Sequence, residues 1–162
     1  MLASIALFAV GAGVLSANKN AFAQTSSYGE SYRNRLSYSA KSGWNNDPNG
    51  LLYADGVYHM YYQYTWDSRT NATANWWDHM SWGHATSSDL VHWTEQPVAI
   101  PSYWDEENVE HMMFSGSAVY DGNNTSGLFA TENGKVVKGQ GIVAVLTQPD
   151  EKQGGQRQIL AY

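Results

Sequence analysis

Trp44-Asn45-Asn46-Asp47-Pro48-Asn49-Gly50 places one carboxylate between an indole and a turn-forming triplet, directly ahead of a strand-like run. Pro48 fixes its own φ and pushes Asp47 toward an extended conformation, while Asn49 and Gly50 supply turn chemistry. The carboxylate is therefore expected in a single pose. A carboxylate held in this way can attack an anomeric carbon, and the face of Trp44 offers an apolar platform for a sugar ring. Taken alone, Asp-Pro-Asn-Gly is also an ordinary turn, so the flanking sequence has to decide between the two readings.

Outward from this stretch, short aromatic and β-branched runs alternate with Gly, Asn and Asp, and no long segment has a helical period. The chain reads as all-β. Gly50 to Tyr53 and Val57 to Tyr64 flank Ala54-Asp55-Gly56, where Asp-Gly predicts the turn of a hairpin. On the second strand His59, Tyr61 and Gln63 share one face, and Tyr58, Met60, Tyr62 and Tyr64 share the other. A loop rich in Trp, Asn and Asp runs from Thr65 to about His79 and is expected to border the site. Ser81 to Ser87, His92 to Glu95, Phe114 to Tyr120, Gly141 to Leu146 and Gln158 to Tyr162 read as further strands. Pro97 and Pro101 are expected to interrupt regular structure.

Further landmarks follow in order: Tyr61-Tyr62-Gln63-Tyr64, Trp77-Asp78-His79-Met80-Ser81-Trp82-Gly83-His84-Ala85, Ser88-Asp89-Leu90-Val91-His92-Trp93 and Phe114-Ser115-Gly116-Ser117-Ala118. With the opening stretch they make five, and the set resembles glycoside hydrolase family 32, the invertases, inulinases and levanases. That family's box usually reads Trp-Met-Asn-Asp-Pro-Asn-Gly, so Asn45 stands in place of Met. The resemblance covers the chain from about Tyr32 to Tyr162. It implies a five-bladed β-propeller, of which about two blades would lie in this chain, although no sequence repeat marks them.

The resemblance also assigns roles. Asp47 matches the nucleophile of a retaining double displacement that releases terminal β-fructofuranosyl units from sucrose or fructans. Asn46, Gln63 and Trp77 match residues that line the sugar pocket, Phe114 and Ser115 match its far wall, and Trp44 joins them as the substrate platform named above. Each has a plainer reading when taken singly: Trp77 and Phe114 as core aromatics, Gln63 and Ser115 as partners of nearby backbone. Two family landmarks have no counterpart. Arg157 is followed by Gln158 rather than by the Asp of an Arg-Asp-Pro box, and the acid/base Glu sits in a Glu-Cys box while this chain contains no cysteine. Glu132 and Glu151 lack matching context. An N-terminal part of such a glycosidase, inactive by itself, is the expected identity; the alternative is a non-catalytic fructan-binding or regulatory protein derived from such an enzyme.

Residues 1–23 read as an export signal, with an apolar run from Leu2 to Ala17 and Ala21-Phe22-Ala23 before Gln24; residues 24–162 form the propeller part. Sixteen residues diluted by Gly and Ser are short for a membrane span, the competing reading. Sequons at Asn71, Asn123 and Asn124 fit a eukaryotic secretory route, and the lack of cysteine leaves stability to packing. Loss of the leader removes Lys19, leaving eight basic against fifteen acidic residues, a net charge of −7. That balance disfavours nucleic acid and anionic membrane as partners. No cofactor is expected. Asn45, Asp47, Asn49 and Gly50 fall on calcium-loop positions, but the twelfth position is Gly56, not Glu, and the five histidines show no zinc-type spacing, so no metal is expected either.

Overall fold

The computed structural model describes residues 4–5, 28–34, 36–150 and 154–162. Apart from Ser4 and Ile5, the expected leader lies outside these residues. All regular structure among the described residues is strand: β1 (Ser4–Ile5), β2 (Asn45–Ala54), β3 (Val57–Thr65), β4 (Met80–Ser87), β5 (Trp93–Ile100), β6 (Tyr103–Trp104), β7 (Glu110–His111), β8 (Gly116–Tyr120), β9 (Thr131–Glu132), β10 (Lys135–Val136), β11 (Ile142–Asp150) and β12 (Gly155–Ala161). Of two four-stranded sheets, one has the order β2-β3-β4-β5 and the other β1-β12-β11-β8, and β6 with β7 and β9 with β10 form two-stranded sheets. Both long meanders run antiparallel from a first strand at the sheet edge, whereas β1 lies parallel on β12. The chain thus carries a structural repeat that its residues do not spell out.

The hairpin turn falls at Asp55-Gly56 as predicted, with both residues at positive φ. The opening stretch differs from the expected free-standing turn, because Asn45–Ala54 is one continuous strand paired with β3. Its register slips between Asn46 and Pro48 and again between Asn49 and Leu52. Bulges at a sheet edge accommodate Pro, which has no N–H to give the ladder, and the positive φ of Gly50. Pro97 likewise lies inside β5 rather than ending it. β5 is the opposite edge of the sheet, and its register against β4 is irregular between Trp82 and His84. Phe114 and Ser115 precede β8 instead of opening it.

Alternation along β3 sorts the side chains into two cores. Tyr61 joins Trp82, Ile100, Met113, Ala118, Leu146 and Ile159 between the sheets, while Tyr62 and Tyr64 pack with Ala40 and Ala85 on the other side. Trp82 and Leu146 are fully buried, and such side chains contribute about 1.5–3 kcal/mol each. Gly50 makes the close approach possible: a Cβ there would lie 2.9 Å from the Cβ of Ala118 and 2.9 Å from Cδ2 of Tyr61.

The loop after β3 is held at several points. Thr65 Oγ1 accepts from the Ala74 N–H (3.2 Å) and donates to the Ala74 carbonyl (2.9 Å), and the Trp44 N–H donates to that same carbonyl (2.8 Å). The Arg69 guanidinium lies 3.2 Å over the Trp104 ring and donates to Asn108. His79, at positive φ, pairs through Nδ1 with Glu110 at 2.8 Å, and its Nε2 lies 3.5 Å from Asp78. Burial opposes a charge on His79, but the Glu110 carboxylate, aided by Asp78 and Asp67, outweighs it and raises the pKa.

Two outcomes follow from this packing. Gly50→Ala combines a left-handed backbone penalty with overlap, and should cost about 2–5 kcal/mol in urea unfolding; Gly134→Ala, at φ +76° with open space around it, should cost only the backbone penalty of about 1–2 kcal/mol. Because the folded pKa of His79 is raised, its ion pair contributes fully below the ordinary imidazole value of about 6.5 and fades as pH rises through the folded value. Glu110→Gln should therefore lower Tm more at about pH 5.5 than at about pH 9, in thermal scans beside the unaltered protein.

Candidate active site

Asp47 sits at the first slip of the β2 register and is exposed. A bulge leaves its residue without a directly opposed partner, which frees the carboxylate from the ladder. Ser115 Oγ donates to Asp47 Oδ2 at 2.8 Å, and Asn46 Nδ2 donates to Oδ1 at 3.3 Å. The Ser115 hydrogen bond outweighs the opposing desolvation and, with smaller help from the residue's own backbone and Asn46, holds the pKa below the ordinary carboxylate value. The group is ionised at neutral pH. No neighbouring acid among the described residues raises it.

The Trp44 indole N–H donates to Asn46 Oδ1 at 3.1 Å, so Trp44, Asn46 and Asp47 form a hydrogen-bonded series leading into β2. Ser115 reaches the series from the second sheet, where its carbonyl accepts from the Thr147 N–H at 3.2 Å. Phe114 stands beside it and faces Trp77, with ring centroids 5.6 Å apart. Trp77 is 42% exposed, an unusual state for an indole assigned to a core. Gln63 is buried, and its Nε2 donates to the Met113 carbonyl at 2.9 Å, which fixes the segment leading into Phe114 and Ser115. Six of the seven candidates therefore fall into two joined groups: Trp44, Asn46 and Asp47 with Ser115, and Phe114 with Trp77. Gln63 supports them from beneath, its amide already engaged with the backbone.

Two residues escaped the sequence reading. Asn49 is buried and accepts from the Gly116 N–H at 3.3 Å, tying the box to the strand that follows Ser115; as a turn residue it gave no sign of this. Trp76, 71% exposed, lies 5.0 Å from Trp44 between ring centroids. Its only signal was its place beside Trp77 in a loop already expected to border the site.

The calcium-loop pattern fails on geometry, since Asn45, Asp47, Asn49 and Gly50 belong to a strand and not to a loop that could wrap an ion. Asp78, His79 and Glu110 bring ligand-type atoms within 4.8 Å of one another, a grouping that spacing along the chain concealed. Both nitrogens of His79 face carboxylates, Nδ1 that of Glu110 and Nε2 that of Asp78. An apolar cavity of about 420 Å³ lies elsewhere, lined by Tyr61, Trp82, Ile100, Phe129, Ile142 and Ala161. It is a void at the margin of the inter-sheet core and holds none of the seven candidates.

Residues 38–162 match the Glycosyl hydrolases family 32 N-terminal domain. The chain is 44% identical over 135 residues to a fructan beta-fructosidase of Streptococcus mutans, covering 83% of this chain and 8% of that protein. It is 50% identical over 100 residues to an extracellular exo-inulinase of Aspergillus niger, covering 62% and 18%. The crystal structure of an exo-inulinase from Aspergillus awamori superimposes with a TM-score of 0.65 at 39% identity, over 82% of this chain and 26% of that one. The chain thus spans about a quarter or less of the length of these relatives. Its two four-stranded sheets are part of the five-bladed β-propeller shared by such enzymes, and the chain belongs to glycoside hydrolase family 32.

Proposed function

We propose that the protein is a retaining β-fructofuranosidase acting on sucrose or on a fructan of the inulin or levan type, with Asp47 as its nucleophile. The observation that carries this reading is the exposed Asp47 carboxylate, kept ionised by Ser115 and Asn46 and flanked by aromatic pairs. In the first step a carboxylate oxygen of Asp47 bonds to the anomeric carbon of the terminal fructosyl unit. The bond from that carbon to the bridging oxygen breaks, and the departing oxygen takes a proton from a general acid. Water then attacks the same carbon, gives its proton to that acid's conjugate base and releases Asp47, so configuration is retained.

Such chemistry requires a second carboxyl group about 5 Å from the nucleophile. The family's Arg-Asp-Pro and acid/base landmarks have no counterpart in this sequence, where Arg157 precedes Gln158 and cysteine is absent, and residues 24–162 by themselves are read as inactive. Trp44, Asn46, Trp77, Phe114 and Ser115 bind and orient the fructosyl unit, and Gln63 serves the same pocket from beneath, through the Met113 carbonyl that it holds. The apolar N-terminal run acts as an export leader, whose removal takes β1 with it, and the enzyme works outside the cell; a relative named as an extracellular exo-inulinase supports that placement.

Activity of the protein expressed from its full reading frame, assayed on sucrose, inulin and levan, tests the reading. Asp47→Asn should lower kcat by at least about 10⁴-fold, as removal of a nucleophile does elsewhere, and an Asp47 variant with near-normal turnover would sink the assignment. Mass spectrometry of the quenched reaction should find a fructosyl adduct on the peptide containing Asp47. Ser115→Ala removes the hydrogen bond that lowers the Asp47 pKa. The ionised form is the reactive one, so the acidic limb of kcat/KM should move to higher pH.

A further inference from the structure

Trp76 and Trp77 are consecutive, yet they serve opposite walls. Trp77 faces Phe114, beside the Ser115 that donates to Asp47, whereas Trp76 packs against Trp44 with its rings 57° apart. Trp44 in turn is joined through Asn46 to the carboxylate. Moving outward from Asp47, the order is Asn46, Trp44, Trp76, and Trp76 is the most exposed tryptophan among the described residues with large exposed apolar groups. A half-buried indole carrying a mostly exposed one makes a stepped aromatic surface, and sugar rings offer it their apolar C–H faces.

The position of this surface is fixed. Backbone and Thr65 hydrogen bonds tie Ala74 to Trp44, two residues before Trp76. Beyond it, the His79–Glu110 pair anchors the loop's far end, and Asp67 closes a bridge on Ala72 within it. A platform set in advance loses little ordering entropy on binding. An indole left exposed on an anchored loop, one ring beyond the platform expected to serve the reacting sugar, fits a ligand longer than that sugar.

We propose that Trp76, supported by Trp44, stacks on a sugar unit beyond the fructosyl residue being transferred, and so sets preference for fructan oligomers over a disaccharide. The assignment rests on the glycosidase reading above. It places Trp76 as a specificity residue and leaves the bond-making groups as they are. Because the contact is made alike in the bound and transition states, its loss should appear in KM rather than kcat.

The test compares Trp76→Ala and Trp76→Phe in the protein from the full reading frame, with sucrose and an inulin-type oligosaccharide of about five units as substrates. For Trp76→Ala, kcat/KM on the oligosaccharide should fall about ten-fold more than on sucrose, through KM, and Trp76→Phe should recover much of the difference. Equal losses on both substrates, or no loss on either, overturn the proposal. Should the protein turn over neither, calorimetric titration with the same two ligands supplies the ratio, and the same two outcomes apply. An active Asp47→Asn enzyme would overturn the nucleophile assignment alone, since the Trp76 effect is read as a ratio between substrates.

Discussion

The close approach of β2 to β8, at Gly50 and Ala118, is the constraint on which the site depends. Backbone hydrogen bonds do not join the two sheets there; side chains do. Along the seam Ser115 donates to Asp47, the Gly116 N–H to Asn49, and the Tyr120 hydroxyl to Asp55, which also accepts from the Gly139 N–H. Each such bond contributes on the order of 1 kcal/mol, far less than the burial of Trp82, Met113 and Leu146 between the sheets. The apolar core therefore sets the distance between sheets, and the polar seam sets their register. A Cβ at position 50 would push the strands apart where Ser115 must reach Asp47.

That arrangement explains how an exposed carboxylate can be well defined. Exposure keeps the desolvation cost of the charge small, and two short-range donors orient it without a buried counter-ion. A salt bridge would have neutralised the same group. Hydroxyl and amide donors leave the full negative charge in place, aimed between two aromatic pairs. The box accordingly works through the irregularity of β2. A regular strand at the sheet edge would have paired every residue in step, and the slip after Asn46 releases Asp47 from that pairing.

Sequence and structure agree where chemistry is local. Asp55-Gly56 could only be a turn between two alternating runs, and the alternation of β3 assigned Tyr61 and Tyr62 to different cores. The disagreements come from edges. Pro48 read as part of a turn and Pro97 as an interruption because proline is excluded from central strands, but β2 and β5 are the two outer strands of their sheet, and nothing local in the sequence marks a strand as outer. Pairings that need the register of distant elements were equally hidden: Asp47 with Ser115, His79 with Glu110, and the 3.0 Å contact of His59 with His84. Of the site, the order of the landmarks disclosed which residues belong together, while the role of Asn49 and the aromatic pairing of Trp76 required the fold.

The loop between β3 and β4 shows how the two levels combine. Its composition, polar and rich in indoles, suits a surface that meets a ligand, but such a loop with no anchors would spread its tryptophans over many positions. Thr65 prevents this at the near end by bonding both Ala74 backbone groups while the Trp44 N–H shares the same carbonyl, so the loop is fastened to the very residue that carries the first indole. Arg69 stacked on Trp104, and His79 with Glu110, fasten it to the β6 and β7 hairpin. Order in the loop is thus borrowed from both flanking elements. The aromatic walls around Asp47 stand in fixed relation to the carboxylate because Thr65, which fastens the loop, lies on the strand paired with the one that carries Asp47, and Gln63 of that same strand holds the Met113 carbonyl just before Phe114.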